Sequence, residues 1–248
     1  STLEPNIICS TPPARMNAII VCTRFFKQPH LPITKQHMII DKKKEISRKI
    51  ITCDTIDKIE NICGIDVSYK DNIAYCSAVI TNITFQLIAT ANLKCKVEYP
   101  YLRGLFFLRE SGPLLETLAL LKNESESDFD ILLIDGHGVL HPRRCGLASY
   151  VGYTIDKPTI GIAKNLICGS LLGDHFIEYH DNVLGYRIKK EGKKPLYISV
   201  GHKISLRKSI QIVQDLTKDG ERIPEPLRIA DVNSKNYHNF VWERNQSY

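Results

Sequence analysis

No apolar run in the 248-residue sequence approaches the roughly twenty residues that a membrane-spanning helix needs, so no membrane association is expected. No Cys-x-x-Cys pair occurs among the eight cysteines (positions 9, 22, 53, 63, 76, 95, 145 and 168), which argues against a zinc site. A disulfide framework is implausible at this length, and several of these thiols sit in apolar runs as small hydrophobes, so a reducing intracellular compartment, cytoplasmic or nuclear, is expected. The first residues carry Glu4 and several prolines with no long apolar stretch, unlike a secretory leader. Internal repeats and low-complexity tracts are also missing. What is present is ordinary for a globular chain: 43% hydrophobic and 24% charged residues, with a mildly basic balance of +6 and a pI near 8.8. Such a balance suits a polyanionic partner without requiring one.

Residues 1–40 read as an irregular N-terminal extension with prolines at 5, 12, 13, 29 and 32, and 41–248 as one α/β domain. A basic helix is expected from Asp41, as cap, to about Ile51, with Ile46, Ile50 and Ile51 on one stripe. Ile62–Tyr69 and Ala74–Thr81 read as strands joined through Lys70-Asp71-Asn72, with Thr84–Val97 completing a meander. Leu105–Leu108 is apolar, and Ser111-Gly112-Pro113 suggests a helix start with Pro113 at the first helical position. The continuously apolar Asp130–Ile134 and Thr159–Ala163 read as buried strands, and Pro195–Val200 as another. Helices are expected over Cys145–Ile155 and Ser205–Leu216, and a partly helical tail from Pro224. Hairpins followed by alternating strands and helices give a mixed sheet flanked by helices.

Asp66 lies in mid-strand on the face of Gly64 and Ser68, costly unless paired, hydrogen-bonded or metal-bound. Asp135 ends an apolar strand and opens the loop Gly136-His137-Gly138-Val139-Leu140-His141, where α/β proteins bind ligands. Singly, Asp66 could face water at an edge, Asp135 could end a turn, Glu110 could pair on the surface, and Asp231 could be an ordinary helical acid. Together, Asp66, Glu110, Asp135 and Asp231 could form an oxygen-rich cluster of the kind that holds Mg²⁺ or Mn²⁺ for phosphodiester hydrolysis. Lys164 follows a strand end and His141 closes the glycine loop, which makes both candidates beside the acids. His202 follows the last strand and reads either as a contact or as a loop histidine satisfied by backbone.

The blocks GIDVSY, PYLRGLFFLRE, DGHGVLHPRRCGLAS, GIAKNLICG, PLYISVGHKISL and RIPEPLRIAD, in this order from about Ile62 to Asp231, resemble those of the endonuclease V family. The resemblance implies a ribonuclease H-like three-layer fold and Mg²⁺-dependent hydrolysis of the second phosphodiester bond 3′ to inosine, leaving 5′-phosphate and 3′-hydroxyl. It implies metal ligation by Asp66, Glu110 and Asp135, an additional polar position near the metal at Asp231, and His141 and Lys164 facing the scissile phosphate, with Asp130 supporting. Tyr101 matches the family's wedge tyrosine, which would fill the gap left by an extruded base. The base would enter a pocket against Gly136, His137, Gly138 and Leu140, read by main-chain hydrogen bonds, with His202 nearby. Arg103 stands where many bacterial members have proline, which adds a phosphate contact. The last two blocks are closer to eukaryotic-type members and point toward inosine in RNA or single strands, bound by a monomer. Two other readings share these carboxylates: a nucleic-acid-binding module without chemistry, and a different ribonuclease H-like nuclease such as a junction resolvase.

Overall fold

The computed structural model describes residues 17–22, 33–97 and 106–245, with side chains at 38, 40–97 and 107–237. Tyr101 and Arg103 lie outside the described residues. One ten-stranded sheet runs β1-β4-β3-β2-β5-β6-β10-β9-β8-β7. Strand β2 (Asn61–Lys70) pairs antiparallel with β3 (Ile73–Asn82), and β3 with β4 (Leu87–Lys96). On its other side β2 runs parallel to β5 (Ile131–Asp135), and β5 to β6 (Thr159–Ala163). Strand β10 (Leu196–His202) is antiparallel to β6. The expected meander followed by parallel strands is therefore the observed topology.

Local chemistry accounts for the turns. Asp71 and Asn72 both adopt positive φ (47° and 62°), the backbone of a two-residue hairpin whose twist matches its strands. Asn82 Oδ1 accepts from the Thr84 and Gln86 N–H groups, so the third strand begins at Leu87 instead of Thr84. Ser205 caps α4 (Leu206–Asp215) by accepting from Lys208 N–H.

Three expectations are corrected. Helix α1 spans Ile33–Ser47, so Asp41 lies inside it and Ile50 and Ile51 beyond it. Its anchors are Ile46 and Lys43, which is 1% exposed with its ammonium 3.8 Å from the Phe107 ring centroid. The edge strand β1 (Asn17–Cys22), paired to β4, and the start of α1 (33–40) give regular structure to two pieces of the segment that reads as irregular. Second, α2 spans Phe106–Glu124 and runs straight through Ser111-Gly112-Pro113. Pro113 cannot donate to the Arg109 carbonyl one turn back; the Tyr69 hydroxyl donates there instead, at 3.3 Å. Third, β7 (Ser170–Leu172), β8 (Phe176–Glu178) and β9 (Val183–Ile188) extend the sheet where the sequence suggests no strand. β7 and β8 have three residues each, and β9 carries a glycine in its middle, so none shows a sustained hydrophobic alternation.

Alternation along the central strands divides the core into two layers. Cys63, Ile65, Leu132 and Ile134 pack with α2 and α3 (Leu147–Ile155) on one face. Ile62, Ile131, Leu133 and Ile162 pack on the other with Val213 of α4 and Leu227 of α5 (Glu225–Asn245). Gly64 permits the close approach of α5: a Cβ there would lie 2.3 Å from the Pro226 backbone.

Candidate active site

Asp66 continues the series Ile62, Gly64 on β2, and Asp135 the series Ile131, Leu133 on β5. The two acids therefore share the α5 side of the sheet. Ile65 pairs with Ile134, so Asp66 and Asp135 follow one residue later on adjacent strands. With Asp231 of α5 and Lys164 after β6 they line one small cleft, floored by Ile162, Leu196, Ile223 and Leu227. The Lys164 ammonium bonds Asp135 Oδ2 and lies 3.8 Å from Asp231 Oδ1, whose other oxygen takes Lys235 at 2.5 Å. Glu110 enters from the first turns of α2, 9% exposed. A larger cavity of about 390 Å³, lined by Ile50, Val139, Arg144, Asn182 and Val200 among others, contains no carboxylate and is a separate feature.

The electrostatics mark the acids as a strained group. Burial, with the charges of Asp135 and Asp231, pushes the Asp66 carboxyl up to about 7. Burial and the charges of Asp135 and Asp66 push Glu110 up to about 8. Burial opposes the charge of Lys164, but Asp135, Asp66 and Asp231 outweigh it and raise its pKa. Among the described residues no three acid, histidine or cysteine side chains close on one point as a ready metal cage; the Lys164 ammonium supplies the positive charge within the group. By donor chemistry the set fits a hard divalent cation: oxygen ligands only, with mutual repulsion that a cation relieves.

Asp66 accepts from the Val67 N–H, and the single hydroxyl proton of Ser234 is shared between the Asp231 carbonyl at 3.0 Å and Asp66 Oδ2 at 3.4 Å. Sequence reasoning misses Ser234, although its spacing of three from Asp231 puts both on one helix face. Asp130 accepts from the Glu60 and Asn61 N–H groups (2.7 and 2.9 Å), tying down the strand below the site.

The glycine loop departs from expectation. Gly136 N–H donates to Ile162 O, Gly138 N–H to Ser199 Oγ and Val139 N–H to Val200 O, so these three amides are spent inside the protein. Gly138 is required for packing, since a Cβ there would lie 1.9 Å from Val200 O. The Leu140 side chain is fully buried and cannot touch a base. His137 Nε2 bonds the Asn165 carbonyl at 2.8 Å, which leaves its buried Nδ1 with no hydrogen-bond partner among the described residues. His141 lies on a basic flank: burial, then Lys43, Arg143 and His137, drive its pKa down to about 3. Its Nδ1 accepts from Arg143 N–H, so the neutral ring carries its proton on Nε2. His202 is 2% exposed; its Nδ1 accepts from Ile51 N–H and its Nε2 lies 3.6 Å from Asp156. It pins the segment after α1 and presents no face to a nucleotide, which corrects its reading as a contact.

A three-layer mixed sheet with carboxylates gathered at the ends of adjacent central strands defines the ribonuclease H-like class. Within it, the profile of the Endonuclease V family matches residues 44–232, and the chain belongs to that family and is an endonuclease. The Endonuclease V of Thermofilum pendens is 37% identical over 199 residues, covering 77% of this chain and 84% of its own length. That of Dictyoglomus thermophilum is 37% identical over 207 residues, covering 80% and 89%. Among solved structures, Ciona intestinalis Endonuclease V in complex with a 24mer DNA containing an inosine followed by a ribo-adenosine superposes with a TM-score of 0.76 at 28% identity, covering 84% of this chain and 99% of that one. The catalytic domain of human Endonuclease V gives 0.77 at 26% identity, covering 86% and 99%.

Proposed function

We propose that this protein is a Mg²⁺-dependent endonuclease that hydrolyses the second phosphodiester bond 3′ to inosine or deoxyinosine, leaving 5′-phosphate and 3′-hydroxyl ends, with Mn²⁺ able to substitute. The observation that carries this reading is the cleft that Asp66, Asp135, Asp231 and Lys164 line together, with Glu110 close enough for its carboxyl to feel the charges of Asp135 and Asp66. A surface made only to bind a polyanion gains nothing by burying acids that repel one another. Asp66, Glu110, Asp135 and Asp231 would hold the cation, which when bound supplies Lewis acidity at the phosphate and a more acidic attacking water.

The protein's own groups do the rest. Val67 N–H and Ser234 orient Asp66, so its carboxylate is fixed before substrate arrives. Lys164, half-exposed beside Asp135, offers its ammonium to charge developing on the phosphate. His141, neutral with its proton on Nε2, donates a hydrogen bond to a phosphate oxygen without needing to be charged. Tyr101 is proposed as the wedge beside the extruded base, Arg103 as a phosphate contact, and the Gly136–Leu140 loop as one wall of the base pocket. The His137 ring, held through Nε2 by the Asn165 carbonyl, is proposed as part of that wall. The resemblance of the last two blocks to eukaryotic-type members favours inosine in RNA, and the Ciona enzyme is seen on a DNA strand in which a ribo-adenosine follows the inosine. The test is a side-by-side cleavage of end-labelled inosine RNA and deoxyinosine DNA, single- and double-stranded, with and without Mg²⁺. Mg²⁺-dependent cutting at the second bond 3′ to inosine is expected; no cut near inosine in any substrate refutes the reading.

A further inference from the structure

Pairing register places a partly exposed aromatic cluster in the same lateral row as Asp135. Asp135 pairs with Ile162, Ile162 with Ile198, Ile198 with Tyr186, Tyr186 with Phe176, and Phe176 with Leu172. Residues opposed in a ladder share a face, so Tyr186 and Phe176 lie on the side of the sheet that carries Asp135. Four strand steps of roughly 4.8 Å separate Phe176 from Asp135, about 19 Å. They also share an end of the sheet: β6 runs toward Lys164, β9 runs the same way and β10 returns, so the β9–β10 turn projects beside Lys164.

Helix α4 packs on β10 and β9, and beyond it the face opens, with Phe176 44% and Leu172 48% exposed. The rings there are ordered against one another. His175 stacks on Tyr186 (centroids 5.1 Å, planes 15° apart), and Phe176 meets the Tyr186 ring edge-on at 5.3 Å. Their backbones are clamped by Arg187 N–H to His175 O, by His175 Nδ1 to Arg187 O, and by Arg187 Nη2 to Asp174 O. Beside the rings, residues 187–194 read RIKKEGKK, five cations against one acid. Lys190 is tied to the Glu221 carbonyl, whereas Lys189 and Lys194 are exposed.

We propose that this edge is a second nucleic-acid contact, in which His175, Phe176 and Tyr186 stack unpaired bases flanking the cut while Lys189 and Lys194 follow their phosphates. The proposal deepens the nuclease reading and rests on it for the course of the strand. Aromatic faces beside a basic groove bind single strands with little sequence preference, because every base has a π-face and duplex bases are already stacked. The charge complementarity favours a polyanion over a second copy of this equally basic chain, although β7 is a sheet edge with exposed Leu171.

The test uses the full chain in EDTA, by fluorescence anisotropy, with labelled single strands containing one inosine. A long strand carries about ten nucleotides on each side, enough to span the ~19 Å at about 3.4 Å per stacked residue; a short one carries two. Phe176→Ala with Tyr186→Ala, and separately the surface pair Lys189→Glu with Lys194→Glu, are expected to weaken the long strand by roughly tenfold. The short strand and the inosine-over-adenosine preference should be unchanged. The lysine variant should also flatten the dependence of log K on log salt by about one, as expected when one or two phosphates are no longer neutralised. Unchanged long-strand affinity in the lysine variant, whose exposed positions do not disturb folding, overturns the proposal. So does a shift of oligomeric state in sedimentation without loss of binding, which would make the edge a contact between copies. If wild type does not cut near inosine yet the variants still lose long-strand binding, the site reading fails and this second contact stands; the reverse pattern fails this contact alone.

Discussion

At the scale of single residues, the Lys164 ammonium is the cation that bridges toward two of the site's acids, Asp135 and Asp231. Removing Lys164 takes away the cation paired with Asp135, while Asp231 keeps Lys235. Lys164→Ala is expected to cost about 1 kcal/mol in Mg²⁺-free buffer, the modest figure appropriate to a half-exposed ion pair. Mg²⁺ should then raise the melting temperature of the variant more than that of wild type, and single-turnover cleavage should slow while oligonucleotide binding is retained. Equal melting of both proteins without Mg²⁺ would remove Lys164 from the charge balance. A second residue stands outside the site. Hydrogen bonds from Arg228 and Lys218 hold Glu225 well down, to about 2, although burial opposes this. A folded-state pKa below the unfolded one stabilises at pH above the unfolded value and is lost as pH falls through the folded one. Glu225→Gln should therefore be less stable than wild type in urea at pH 7, with the gap closing between about pH 4.5 and 2.

At the scale of elements, a helix reads through its own breaker. Pro113 deprives the Arg109 carbonyl of its helical donor, and the Tyr69 hydroxyl replaces it. This links α2, which delivers Glu110, to β2, which delivers Asp66. Tyr69→Phe is expected to cost about 1 kcal/mol in wild type and less in a Pro113→Ala background, where a backbone N–H recovers the carbonyl. Additive effects in the double-mutant cycle would show that the two do not share that acceptor. The proline signal reads as a helix start because local rules place it there; only the Tyr69 partner, distant in sequence, makes an interior proline tolerable. Strands β7, β8 and β9 are illegible because three-residue strands and one interrupted by Gly185 leave little periodic trace.

At the scale of the whole molecule, the chain brings acids separated by 165 residues in sequence, from Asp66 to Asp231, into one cleft. Burial of mutually repelling carboxylates destabilises the fold, and under the proposed function a divalent cation bound only by the folded state would offset it. Mg²⁺ should raise the melting temperature beyond an ionic-strength-matched Na⁺ control, and Asp135→Asn should abolish most of that increment while keeping the fold. A variant that responds as wild type would exclude Asp135 as a ligand. Much of this frame is legible in the sequence: alternation in GIDVSY assigns Asp66 its face, and the apolar run DILLI ends on Asp135. Ser234, the commitment of the glycine-loop amides and the burial of His202 are not, because each depends on which distant group occupies the facing position.

The sequence by itself determined the order of the central strands and helices, the side of the sheet on which each central residue lies, and the family. Periodicity and ordered motifs are local properties that survive without knowledge of contacts. The tertiary structure alone decided that the Lys164 ammonium pairs with Asp135, that α5 presses close enough on Gly64 to bring Ser234 to Asp66, and that an aromatic edge shares the row of Asp135. Those facts are set by pairing register and close approach between segments far apart in the chain, which no local pattern encodes.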